Sequence, residues 1–129
     1  MDTALKLYGQ EFCVIDTSNL FVCTNIADEL LLYSADNSLL AVLTAQCAGL
    51  GIALDPRRAL HTYSGGEQAM ICCALLSLVL PRRPVRVLLV HIVEALSVRN
   101  AQKILHLMQA NAPQMTILTL TEEGPVAYV

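Results

Sequence analysis

Tryptophan is absent, phenylalanine occurs only twice, and charged residues make up just 15% of the chain. A core built from this sequence therefore rests on aliphatic side chains rather than aromatic rings. A basic excess is missing too: eight Lys and Arg stand against eleven Asp and Glu, a net charge of −3. Phosphate backbones are held by clustered cations, so direct nucleic-acid binding is not expected. The longest apolar-type run, residues 69–80, is about half of what spans a bilayer, so no membrane span is expected. Met1, Asp2 and Thr3 begin no basic, signal-like segment. The five cysteines, Cys13, Cys23, Cys47, Cys72 and Cys73, are odd in number, lack C-x-x-C spacing and sit in apolar surroundings. They read as reduced, buried thiols rather than disulfides or metal ligands, and a cytoplasmic or nuclear location follows as the expectation.

What the chain does have is aliphatic residues in abundance: 55% of its 129 residues are hydrophobic. That length suits one domain over residues 1–129, and the apolar excess implies a surface that faces a partner. Residues 11–16 and 20–24 read as two short strands, with Asp16, Thr17, Ser18 and Asn19 as the turn of a hairpin. Residues 26–33 and 38–48 carry Leu at helical spacing, and Gly49, Gly51 and Pro56 then break the pattern. Residues 67–80 are apolar all round, so a helix there must be central or covered by another molecule. After Pro81 and Pro84, residues 85–90 form a β-branched and Leu run, residues 100–110 return to helical spacing, and residues 116–120 read as a second buried strand. These two strands should be parallel with a right-handed crossover, and residues 126–129 should add an edge strand. The fold class expected is α/β: parallel strands flanked by helices, with an N-terminal hairpin and helices.

The chemistry-bearing stretch is Tyr63, Ser64, Gly65, Gly66, Glu67, Gln68 at the start of the central helix. Ser64 with Glu67 three residues on is a capping box. Two consecutive glycines also let a ligand approach backbone N–H groups at the positive end of a helix dipole, where phosphate is favoured. A cap and an anion site both remain open readings at this point.

Ser64-Gly65-Gly66-Glu67-Gln68 is similar to the signature motif of ABC-type ATPases. Ala69-Met70 replaces the Gln-Arg of transporter subunits, and the following Val87-Leu88-Leu89-Val90 resembles the strand before the Walker B carboxylates in the structural-maintenance-of-chromosomes and DNA-repair branch. In that branch the spacing from the signature serine places the Walker B aspartate where His91 stands. Residues 94–104 resemble the D-loop and its helix with one residue deleted, and residues 116–121 resemble the strand before the switch histidine. The likeness spans residues 59–121, about half the chain, and residues 1–58 match no part of it. It implies a small, P-loop-ATPase-like half domain.

Departures from the family fall on its catalytic positions. Hydrolysis needs a phosphate-cradling loop, a carboxylate for Mg²⁺, a water-activating Glu and a polarising His. No G-x-x-x-x-G-K-[ST] occurs; His91 replaces the aspartate, Ile92 the catalytic glutamate, Glu122 the switch histidine and Ser97 the D-loop aspartate. A neutral imidazole is a poor ligand for Mg²⁺. The resemblance therefore implies a pseudo-ATPase with no metal or cofactor of its own, binding an ATPase-head protein or a second copy in chromosome maintenance or DNA repair. The alternative it implies is a subunit whose Ser64, Gly65, Gly66, Glu67 and Gln68 complete ATP held by a partner. Tyr63 and Arg58 flank the motif, with contact to a partner's nucleotide or surface as the lesser reading, while His61, His106, Glu122-Glu123 and the Arg82, Arg83, Arg86 patch read as solvated surface.

Overall fold

A computed structural model describes residues 4–7, 10–34, 37–80, 84–121 and 123–127. Strands β1 (Ala4–Leu7) and β2 (Gln10–Asp16) precede helices α1 (Ile26–Leu31), α2 (Ser38–Gly49) and α3 (Gly65–Val79). Strand β3 (Val85–Val90), helix α4 (Val98–Asn111) and strands β4 (Met115–Thr121) and β5 (Gly124–Ala127) complete the α/β fold. One five-stranded sheet runs in the order β1-β2-β3-β4-β5. Its centre is parallel, with Val14 opposite Leu88 and Leu88 opposite Leu118, and both edges are antiparallel.

Strand alternation sends Cys13, Ile15, Val87, Leu89, Met115 and Ile117 into one apolar cluster with the helices. Helix α3 lies at its heart, with every residue from Ala69 to Ser77 buried. The chargeless helix surface expected to face a partner is thus consumed inside the chain, against α2 and α4. Ser77 accepts a hydrogen bond from Asn111 Nδ2 at 3.0 Å, and Asn111 exchanges amide bonds with Gln46 at 2.8 and 2.9 Å. This small polar clasp ties α2, α3 and α4 together where apolar contacts alone would leave their register loose.

The expected hairpin between residues 11–16 and 20–24 does not form. Strand β2 pairs instead with β1, which the sequence pattern did not single out, and residues 20–24 are irregular. Their backbone groups find other partners. Val22 and Cys23 N–H donate to Glu29 Oε1 at 2.9 and 2.7 Å, Cys72 Sγ donates to the Leu20 carbonyl, and Leu60 N–H donates to the Thr24 carbonyl. Glu29 is fully buried to do this, and its other oxygen, Oε2, has no hydrogen-bond partner among the described residues. A buried carboxylate thus replaces a strand partner for this loop, a substitution that hydrophobic patterning cannot report.

All five cysteines are free; Cys47, Cys72 and Cys73 are buried, whereas Cys13 and Cys23 are half-buried. The last edge strand is Gly124–Ala127, and the expected continuation through residues 128 and 129 lies outside the described residues. No helix among the described residues is long and apolar enough to cross a membrane.

Candidate functional site

Helix α3 begins at the capping box expected for it. Ser64 is the N-cap with extended backbone; its Oγ accepts from Glu67 N–H at 3.1 Å, and Glu67 Oε1 accepts from Ser64 N–H at 3.0 Å. The carboxylate also complements the positive end of the helix dipole. Gln68 turns back to donate from Nε2 to the Tyr63 carbonyl at 2.9 Å. Ser64→Ala is expected to cost about 1 kcal/mol, measured by urea denaturation, because one first-turn N–H loses its acceptor. Glu67→Gln, which retains the reciprocal bond, should cost less.

The glycines that follow the cap differ in their surroundings. A side chain at Gly65 would meet nothing within 4 Å, so this part of the turn is open. At Gly66 a Cβ would lie 3.4 Å from Leu96 Cδ2 and 3.6 Å from the Ala95 carbonyl, which is ordinary contact. The signature turn is therefore seated against the segment that follows β3, including the 3-10 turn Val93–Ala95. The turn at Ser64 to Gly66 and residues 95 and 96, separate in sequence, meet at one place.

Strand β3 is followed by His91, whose φ of 58° lies in the left-handed region. Such backbone is uncommon for non-glycine residues, with histidine among the more tolerant. The turn sends the imidazole outward, where Nδ1 lies 3.0 Å from Glu94 Oε2 and both side chains are largely exposed. The next residue goes the other way: Ile92 is 1% exposed and belongs to the core cluster. Asp16, at the end of the neighbouring strand, accepts from Ser18 N–H and Oγ, both at 3.0 Å. Those bonds, the backbone one first, hold its carboxyl below the usual value, and His91 adds a small pull in the same direction.

Ser97 caps α4 by accepting from Asn100 N–H at 3.1 Å. Tyr63 is buried, with its hydroxyl accepting from Asp55 N–H at 2.9 Å. Arg58 lies over its ring at 4.0 Å and also donates to the Thr62 hydroxyl and carbonyl. Tyr63 thus acts as a post beneath the signature rather than as an exposed contact. His61 and His106 are exposed as expected, and so is Arg86; Glu122, Arg82 and Arg83 lie outside the described residues.

A polar cavity of about 310 Å³ opens beside the motif, lined among others by Ser18, Asn19, Cys23, His61 and Gln68. Sequence reasoning had no means to find it, since its walls come from three separate segments. Among the described residues no group of three His, Cys, Asp or Glu side chains gathers in a way that could hold a metal ion. Comparison with protein-family models, curated proteins and solved structures returns no match.

Proposed function

We propose that this chain is a catalytically inactive, ATPase-head-like interaction module that binds a partner protein through the face carrying its signature turn. The observation that carries this reading is the pair after β3: His91 outside, and Ile92 at 1% exposure inside. A residue that activates water must reach the reacting atoms, and a core isoleucine neither reaches them nor moves a proton. With no P-loop sequence in the chain, nucleotide chemistry would depend on another protein. The resemblance in residues 59–121 points to a partner with an intact ATPase head, in chromosome maintenance or DNA repair, and to no nucleic-acid contact by this chain itself.

One observation favours a second reading, in which the signature turn completes ATP held on the partner's P-loop. Gly65 faces open space, and first-turn amides of a helix have no intrahelical acceptor. The chain and its captured partner separate these readings. The purified chain alone should hydrolyse no more ATP than a buffer blank; turnover abolished by Gly66→Asp would overturn the inactive assignment. A Cβ at Gly66 meets Leu96 and the Ala95 carbonyl only at ordinary contact distance, and circular dichroism checks that Gly66→Asp folds. If the complex hydrolyses ATP and this variant leaves the rate unchanged, the in-trans role is wrong. Capture of a partner lacking any P-loop argues against both readings.

A further inference from the structure

Helices α2 and α4 both pack against α3 and leave an open groove of about 600 Å³ between them. Leu50, at the end of α2, and Leu107 and Ala110 of α4 supply its apolar lining, while Lys103 and His106 stand along the α4 side. Both leucines are half-buried. The amide clasp between Gln46 and Asn111 holds the two walls together, so the groove is formed before anything enters it. From Gln102 to Ala110 it runs about 12 Å, or two helical turns.

The walls carry charge of one sign only. Residues 37–54, which include α2, hold no charged side chain, and residues 95–121, which include α4, hold no acidic one, in a chain whose acids outnumber its bases eleven to eight. Arg99 lies one turn before Lys103 on the same side of α4, and both are exposed. Neither takes part in an ion pair among the described residues. Their placement runs against the helix dipole: the first turn of α4, where acidic residues are favoured, has none and carries Arg99 instead. Carboxylates supplied from outside would satisfy both the cationic row and the dipole.

The walls also decide the form of the occupant. Helices offer no unpaired backbone groups along their sides, so an extended segment lying there would bury N–H and C=O groups without partners, whereas a helix satisfies its own. A ridge of side chains on a third helix fits the groove between two others. That helix does not come from a second copy: α1 has one exposed acid, Asp28, α3 has Glu67 alone, and α2 and α4 have none. We infer that the groove between α2 and α4 docks an amphipathic helix of a partner protein, its apolar residues seated on Leu50, Leu107 and Ala110 and its acidic flank against Arg99 and Lys103. The contact covers two turns, well short of a standard interface, which sets its affinity in the micromolar range. None of the groove residues belongs to the signature turn, and the inference does not depend on the ATPase-like reading.

Fluorescence anisotropy with synthetic peptides of about sixteen residues, long enough to turn helical on contact, tests it on the full chain. One peptide carries Leu at helical spacing with Glu at i and i+4 along one flank, and the other is identical but has Lys for each Glu. The wild-type chain should bind the Glu peptide and hold the Lys peptide about 10-fold more weakly. The double variant Arg99→Glu/Lys103→Glu should reverse that preference. A folding defect cannot produce the reversal, since the variant must be folded to bind the Lys peptide. On titration with the Glu peptide, the backbone amide resonances of Leu50, Leu107 and Ala110 should shift. Equal binding of the two peptides, no binding at about 1 mM, or resonances of those three residues that stay in place each overturn the inference. So does displacement of the Glu peptide by phosphatidylserine vesicles, which would make the cationic row a membrane contact.

Discussion

Above pH 9.0, the ordinary thiol value, the protein is expected to lose stability steeply. Burial pushes the Cys73 thiol up to about 12 and the Cys72 thiol well above its ordinary value, with the neighbouring Cys73 and Glu29 adding to the latter. Cys47 is raised to about 11 by burial. A thiol raised in the folded state holds its proton there while the unfolded chain releases it. The stabilisation is complete below the unfolded value and is lost as pH climbs toward the folded one. Two thiols fully inside the core give a slope of about 3 kcal/mol per pH unit. Urea denaturation at stepped pH, comparing wild type with Cys72→Ala/Cys73→Ala, measures this. The double variant should start less stable and decline less steeply; parallel curves would show that other groups govern the alkaline limb.

Leu75→Ala should lower stability by about 3 kcal/mol, or about 10 °C in Tm. Leu75 is 0% exposed in the middle of α3, with neighbours on every side of that helix. Truncation removes apolar burial and leaves a cavity that helices pinned by the Gln46, Asn111 and Ser77 clasp are poorly placed to close. Leu31→Ala, at a residue 68% exposed, should change stability by less than about 0.5 kcal/mol. Thermal unfolding followed by circular dichroism distinguishes them. Equal effects would mean that α3 is not the centre of the fold.

The second half of the chain was largely legible in its sequence because each element carries its own punctuation. Ser64 with Glu67 starts α3, the Val and Leu run gives β3, and α4 has apolar residues on one face only. The first half was harder to read for a physical reason. Residues 20–24 have strand-like composition, yet their hydrogen bonds go to Glu29, Leu60 and Cys72, partners set by tertiary structure. Helix α3 posed a similar ambiguity: an apolar surface all round fits an interface or a core, and only the placement of α2 and α4 decides. At the candidate site, the cap was plain from residue spacing. The opposite directions of His91 and Ile92 depend on one left-handed backbone angle, which no residue pattern announces.

Strand order that follows chain order makes assembly of the sheet directional. Strands β3 and β4 are joined through one helix, whereas β2 reaches β3 only after a segment about three times as long has come into place. The difference in closure entropy is about 1 kcal/mol, a modest handicap for a connection that carries three helices. The last parallel seam to form is then expected to be β2 against β3, and until it closes, the edge of β3 stands bare. Nascent or thermally stressed chains would present that edge to one another, so aggregation should start from β3.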